Sequence, residues 1–466
     1  MKKNYLDEAN RIHLIGIGGT GMSGLAKLLL DINKKVSGSD NTFSSTLKDL
    51  EKKGIRIFCP QEEKNVTGRN IELAIYSHAI FPDNPEYKKL LEKGIPLISY
   101  PQAVGCLMEK KRGIAIAGTH GKTTTSSLIV TVLKEAGYSP SFLLGGEIRG
   151  VGNSGVGGSD LLVVEACEYK RSFLNYHPEI AVVTSVERDH LDYYKDITDI
   201  KRSFRDFLGN VRKGGLIIYC ADDANTSSIA GKSGNRNTVS YGLKKGEWTA
   251  ANIRFVRDFS EFDCYFHEKR EAKIRLGISG MHNVQNSLAV IACSKHLGVS
   301  WADIKGGLGT YRGVHRRCEL LGKIRGITLI DDYGHHPTEI RCTLKCVRNM
   351  YPESRMIVVF QPHQYSRTRF LLREFAASFS DADKVVVPDI YFVRDSILEK
   401  KLVNAQILVE RIRKNGGEAL YLPTFEEIVE YLHEIVRPDD VVLTIGAGPV
   451  NRVAEGLLSR LKERNN

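Results

Sequence analysis

One stretch limits what this chain can fold into more than any other. Gly113-Ile114-Ala115-Ile116-Ala117 is short, apolar and β-branched, and it runs straight into Gly118-Thr119-His120-Gly121-Lys122-Thr123-Thr124-Thr125. Helical spacing is expected to open at Ser126. A buried strand that breaks at glycines into a helix belongs to a parallel sheet covered on both faces. Glycines let backbone N–H groups crowd round phosphate oxygens, and the helix N-terminus adds partial positive charge. Lys122 has the length to reach β- and γ-phosphates, and the Thr123 hydroxyl can bind Mg²⁺. The spacing departs from the common phosphate-loop pattern. The position five before Gly121 is Ile116, and the first glycine sits only three before it.

The same alternation recurs on either side. Arg11–Ile17, Lys35–Asp40, Ile71–Ser77 and Ile95–Ser99 read as strands, with helical spacing over Met22–Asp31. Leu161–Val164, Ile180–Thr184 and Leu216–Tyr219 continue the central pattern, and residues 245–280 read as a small antiparallel addition. A third start is Ile327–Asp332, followed by Met356–Phe360, Lys384–Pro388 and Val441–Gly446. Strands separated by helices imply βαβ units. At 466 residues about three domains are expected, with boundaries giving 1–107, 108–314 and 315–466. The fold class is α/β, with two Rossmann-like outer domains and a central mononucleotide-binding one.

Charge and cysteine usage exclude several classes. The net charge of +11 is spread thinly: 15 basic against 12 acidic residues in 1–107, 27 against 22 in 108–310, and 24 against 21 in 311–466. No basic block of the nucleic-acid-binding kind exists, and an even excess suits anionic small molecules. The nine cysteines are scattered without C-x-x-C spacing, so reduced thiols are expected rather than a disulfide framework. No stretch approaches the roughly 18–20 apolar residues of a membrane span. Met1–Tyr5 is followed by Asp7 and Glu8 rather than an apolar leader, so a cytosolic location is expected.

Four further clusters carry chemistry. Gly16-Ile17-Gly18-Gly19-Thr20-Gly21 is a G-x-G-x-x-G turn, and Asp40 lies where a ribose-binding acid would be. It fits a pyrophosphate, whether of NAD, FAD or a UDP-sugar. Glu165 and Glu168 follow one strand, and Glu187-Arg188-Asp189-His190 follows the next. Carboxyl ends of parallel strands hold ligands, so Glu165 and His190 are expected to converge on the phosphate loop. His282 and Asn283 precede an apolar helix, Ser287–Leu297, where they would cap it or hydrogen-bond a base. Asp331-Asp332-Tyr333-Gly334-His335-His336-Pro337 and Gln361-Pro362-His363-Gln364-Tyr365-Ser366-Arg367-Thr368-Arg369 follow strands of the third unit. If the latter is a loop, Arg367 and Arg369 can clamp an anion together. Arg316 and Arg317 add positive charge nearby. Adjacent histidines seldom reach one metal, which disfavours zinc at His335 and His336.

Taken in order, these motifs resemble the Mur ligase family over nearly the whole chain. They comprise Gly16–Gly24, Gly118–Thr124, Glu165–Glu168, Asp189-His190, His282–Val284, Asp331–Pro337 and Gln361–His363 with Arg367–Arg369. The resemblance accounts for the odd loop spacing, since G-T-x-G-K-T is the family's form. It implies an ATP-dependent ligase of peptidoglycan precursor synthesis that joins L-alanine to the lactyl carboxylate of UDP-N-acetylmuramate through an acyl phosphate. ATP and Mg²⁺ are the implied cofactors, and a monomer or weak homodimer the implied state. Carried over by position, the UDP-sugar would meet Gly16, Gly18, Gly19, Thr20, Gly21, Met22, Ser23 and Asp40. ATP would meet Gly118, Thr119, His120, Gly121, Lys122, Thr123, Thr124, Asn283, Arg317 and Asp332. Thr123, Glu165 and His190 would hold metal; His336, Arg367 and Arg369 would face alanine; Lys122, His190 and Arg317 would act in catalysis. Cys167, Tyr169, Lys170, Arg171 and Gln364 depart from common forms of the family. Lys201 lies near a lysine that some members carbamylate. Competing readings are a sister ligase adding a preformed peptide, a nicotinamide-dependent oxidoreductase built on residues 16–21, and a regulatory ATPase.

Overall fold

Three sheets follow one another along the chain in the computed structural model, which describes residues 5–231, 237–393 and 395–463. The expectation drawn from Met1–Asn4 lies outside these. The first sheet has five parallel strands: β1 (Arg11–Ile15), β2 (Lys35–Ser39), β3 (Arg56–Phe58), β4 (Leu73–Tyr76) and β5 (Leu97–Ser99), in the order β3-β2-β1-β4-β5. β1 stops at Ile15, two residues before its expected end, because Gly16 turns the chain at a φ of 81°.

The second sheet has ten strands. They are β6 (Arg112–Ala117), β7 (Ser141–Ile148), β8 (Gly152–Gly155), β9 (Leu161–Glu165), β10 (Ile180–Val183), β11 (Leu216–Cys220), β12 (Asn237–Tyr241), β13 (Trp248–Val256), β14 (Phe259–Phe266) and β15 (Lys269–Leu276). Their order is β15-β14-β13-β12-β11-β10-β6-β9-β7-β8, with β13 to β15 antiparallel to one another and β8 antiparallel to β7. β6 lies between β9 and β10, parallel to both. The chain leaves β6 towards one side and returns on the other, so a crevice opens at its carboxyl end. The third sheet, in the order β16-β17-β21-β18-β19-β20, is built from β16 (Glu319–Ile324), β17 (Ile327–Asp332), β18 (Met356–Phe360), β19 (Lys384–Val387), β20 (Ala419–Tyr421) and β21 (Val441–Ile445). Only β16 is antiparallel.

Successive residues of the central strands serve two different cores. Ala115, Val164, Ala181 and Ile217 face one, and Ile114, Ile116, Val163, Val182 and Ile218 the other. That alternation, buried on both faces, is why these runs read as continuously apolar. The first of these cores also contains Leu14, Leu25, Ile75 and Met108 of the N-terminal unit. The helix Tyr100–Glu109 belongs to it, so the boundary drawn at 107/108 falls within that helix's last turn. None of the nine cysteines forms a disulfide. Among the described residues no helix is long and apolar enough to cross a membrane.

Gly38 is where β2 can approach β1. A Cβ there would lie 2.5 Å from Ile17 Cδ1 and 2.7 Å from the Leu14 carbonyl. Gly38→Ala is expected to destabilise the N-terminal unit by about 1–3 kcal/mol through overpacking. Denaturant titration followed by hydrogen exchange on β1 and β2 checks this; unchanged protection there contradicts it.

Candidate functional site

The loop after β6 is shaped by two left-handed glycines. Gly118 has a φ of 141° and Gly121 of 78°. A Cβ on Gly118 would sit 2.0 Å from Thr184 Oγ1, and one on Gly121 2.7 Å from Asn286 Oδ1. The helix begins at Lys122, not at Ser126, so Thr123, Thr124 and Thr125 lie in its first turn. Their threonine-rich composition masked the helical start. The result places free N–H groups and the Lys122 side chain at one helix N-terminus.

Lys122 donates to the Gly118 and Thr119 carbonyls and to Glu168 Oε1, the last at 3.1 Å. Burial disfavours its charge, but Glu168 outweighs this and raises the lysine's pKa. Glu168, itself buried, is therefore the lysine's counter-charge, a role the sequence did not assign to it. Its position three residues past Glu165 was the available signal. Thr123 Oγ1 donates to Glu165 Oε2 at 2.8 Å, and the Gly145 N–H donates to the same oxygen at 2.9 Å. Gly145 has no room for a side chain, since a Cβ would lie 2.7 Å from both Glu165 oxygens. His190 sits on the other side of Glu168, its Nε2 3.8 Å from Glu168 Oε1, its ring against Tyr169. Thus Thr123 and Glu165 meet directly, whereas His190 joins them through Glu168 and Lys122. Lys201 donates to Asn225 Oδ1 at 3.1 Å.

A cavity of about 550 Å³ opens beside the loop, between the central and third units. Gly121, Thr123 and Thr124 line one part, and Asn283, Arg317 and Asp332 others. Asn283 lies inside the helix Met281–His296, which starts at Met281 rather than at Ser287, with Gly280 at a φ of 112° as its N-cap. Neither His282 nor Asn283 is therefore the cap. Asn283 Nδ2 donates to the Ser279 carbonyl at 2.6 Å. Asp332 accepts from the Cys318 and Gly334 N–H groups, both at 2.8 Å, and burial raises its pKa. Arg317 lies 3.7 Å from Glu339 and 5.3 Å from the Tyr333 ring centre.

The arginine clamp expected of residues 367 and 369 is corrected. Tyr365–Phe370 is a helix rather than a loop, so the two side chains diverge. Arg369 pairs with Glu399 through two bonds of 2.7 and 2.8 Å. Arg367 is buried and donates to Asp189 Oδ1 at 3.1 Å, across to the central unit. His336 caps the helix Pro337–Met350 and bonds the Arg188 carbonyl through Nε2 at 3.1 Å. Its ring lies 4.6 Å from that of His120. Donor atoms of His120, Glu187 and His336 lie within 4.8 Å of one another. Both His336 nitrogens already have partners, so the group reads as a polar contact between units.

In the N-terminal unit, Asp40 Oδ2 accepts the Gly18 N–H at 2.9 Å, which places the acid on the glycine turn itself. Gly19 is the N-cap of the helix Thr20–Asp31. Gly16 lies in that turn, and Gly21, the second residue of the helix, packs on Tyr100. Met22 and Ser23 are buried on the helix's inner face, Met22 within the apolar core, and the Ser23 hydroxyl bonds the Thr20 carbonyl. They support the turn rather than line it, a correction set by helical periodicity.

Three family models match in chain order: the Mur ligase family catalytic domain over residues 11–112, the Mur ligase middle domain over 116–294, and the Mur ligase glutamate ligase domain over 316–448. The chain belongs to the Mur ligase family. It is 44% identical over 462 residues to a UDP-N-acetylmuramate–L-alanine ligase of Caldanaerobacter subterraneus subsp. tengcongensis, covering 98% of this chain and 99% of that one. A UDP-N-acetylmuramate–L-alanine ligase of Acetivibrio thermocellus is also 44% identical, over 96% of this chain and 95% of its own. Among solved structures, UDP-N-acetylmuramate-alanine ligase MurC from Thermotoga maritima superposes with a TM-score of 0.83 at 29% identity, covering 97% and 99% of the two chains.

His120 gives the site a pH dependence. Burial pushes its imidazole down, but Glu187 and Glu339 outweigh this and hold it up at about 9. The His336 ring lies beside it, tilted by 43° at 4.6 Å. A raised folded pKa stabilises below the unfolded value, so the contribution is full below roughly pH 6.5 and lost as pH rises through about 9. His120→Gln is expected to lower the melting temperature at pH 6 and progressively less towards pH 10; a constant difference contradicts this.

Proposed function

We propose that this chain is an ATP-dependent ligase that joins L-alanine to the lactyl carboxylate of UDP-N-acetylmuramate. The observation that carries the reading is the phosphate loop, whose His120, Gly121, Thr123 and Thr124 line a cavity that Arg317 and Asp332 line from a second unit. The relatives named for this reaction, aligned over nearly the whole chain, give it its substrates.

A carboxylate does not react with an amine at neutral pH. Transfer of the γ-phosphoryl group from ATP to the carboxylate forms an acyl phosphate and ADP. The amine of alanine then attacks the acyl carbon, the amide forms, and phosphate leaves with release of a proton. Little covalent chemistry falls to the protein, whose tasks are positioning and charge stabilisation. Loop N–H groups and Lys122 would hold the phosphates, and Asn283 the base. Arg317 would reach the transferring group from the third unit. Arg367 and His336 would face the alanine, while Arg369 is committed to Glu399. Gly16 to Gly21 would seat the UDP pyrophosphate. The Thr123 hydroxyl and the Glu165 carboxylate, 2.8 Å apart, are hard oxygen donors that suit one Mg²⁺, and His190, beside Glu168, would be a ligand of a second. When bound, Mg²⁺ supplies charge neutralisation on the phosphates.

Phosphate release is expected only with ATP, UDP-N-acetylmuramate and L-alanine together. Lys122→Ala is expected to lower turnover by about 10²–10³-fold while leaving the circular dichroism spectrum unchanged. Release independent of the sugar nucleotide or the amino acid overturns the ligase reading. Release with a preformed peptide but not with alanine moves it to the sister reaction.

A further inference from the structure

The chain leaving β10 is gripped from two sides. Towards the phosphate loop, the Thr184 hydroxyl donates to the His120 carbonyl. The Thr119 N–H donates to the Ser185 carbonyl at 2.9 Å, and the His120 N–H to the Ser185 hydroxyl at 3.0 Å. The Glu187 N–H donates to the Thr119 hydroxyl at 2.9 Å.

Towards the third unit, the next three residues each take a partner. Glu187 Oε2 accepts from the Thr338 hydroxyl at 2.7 Å. The Arg188 carbonyl bonds His336, and its guanidinium pairs with Glu374 at 2.9 Å. Asp189 pairs with Arg367. These contacts are unequal. The Arg188–Glu374 side chains are 56% and 39% exposed, so that pair contributes little. Asp189 and Arg367 are 8% and 7% exposed, and neither charge can be left alone without a large penalty.

Glu187 thus bonds the loop through its backbone and the third unit through its side chain. We propose that Glu187 and Asp189 are positioning residues for phosphoryl transfer: docking of the third unit on them sets the phosphate loop, through Thr119, in its reactive geometry. The proposal rests on the ligase reading and adds the means by which closure reaches the loop. Glu187 lines the cavity and Asp189 does not, and both act through their contacts with the loop and the third unit. Their effect should appear in turnover rather than in nucleotide affinity.

The test uses the full chain and the three-substrate phosphate-release assay. Thr338→Val removes the hydroxyl that donates to Glu187, on the third-unit wall of the cavity, and Asp189→Asn removes the charge facing Arg367. Each is expected to lower kcat by about tenfold or more while KM for ATP stays within about threefold. Thr338→Ser, which keeps the hydroxyl, should restore kcat to within about twofold of the parent, and Arg188→Ala should stay within the same range. Combined with Thr119→Val, Thr338→Val should cost no further turnover, because both break one chain of contacts. The proposal is overturned if Thr338→Val and Asp189→Asn leave kcat within about twofold, if Thr338→Val and Thr119→Val multiply, or if the loss falls on KM for ATP. A parent chain without alanine-dependent release fails on the ligase reading instead. Asp189→Asn, being buried, is interpreted only if its melting curve matches the parent; Thr338→Val carries the test otherwise.

Discussion

A lysine ammonium held away from bulk water at the carboxyl end of β6 is the constraint on which the rest of the site depends. An unpaired ammonium in that position would cost several kcal/mol. Glu168 at 3.1 Å and two loop carbonyls offset the cost. Glu168 can be there because β9 pairs with β6 in parallel and leaves the sheet at the same edge. The glycines can be there because their left-handed φ values bring N–H groups inward without a side chain in the way. The same edge receives Glu165 from β9 and the Thr184–His190 segment after β10. A parallel sheet with its switch point at β6 therefore collects, at one spot, groups far apart in sequence.

The three units are joined by different physics. The first two share an apolar core through the helix Tyr100–Glu109, and Gly24 lets the helix Thr20–Asp31 approach β8, where Asn153 Nδ2 bonds the Thr20 carbonyl at 2.9 Å. The third unit meets the central one through polar contacts of Glu187, Arg188 and Asp189 and through His120, beside the cavity. Polar contacts exchange with water at small net cost, whereas apolar area does not. The third unit is accordingly the one suited to dock and release, and the residues that complete the cavity, Arg317 and Asp332, lie on it.

Much of this was legible in the sequence, and the failures have causes. Strands buried on both faces announced themselves as apolar runs. Those missed include β3, β8, β12, β16 and β20, which are short, polar or at an edge, and β7, whose apolar start Ser141–Leu144 is cut short by Gly145 and Gly146. The Rossmann-like and phosphate-loop turns were visible because only glycine satisfies their φ values. Helix starts were misjudged at Lys122, Met281 and Tyr365, where threonine, histidine, asparagine and arginine disguise a first turn. The last of these undid the arginine clamp. Glu187, Asp189 and Glu339 drew no role of their own, and Glu168 was read only as a second carboxylate beside Glu165, because a carboxylate's partner, set by tertiary packing, is not written beside it. Asp40 was placed near the right turn, although its bond to the Gly18 N–H was not foreseeable.

The central claim is that the group gathered at β6 activates a carboxylate by phosphoryl transfer. The most direct measurement follows the oxygen. With UDP-N-acetylmuramate labelled by ¹⁸O in the lactyl carboxylate, one labelled oxygen should appear in the released phosphate, since the acyl–oxygen bond breaks when the amine attacks. Mass spectrometry of that phosphate reads the outcome. Phosphate free of label, with the peptide product formed normally, would contradict the account.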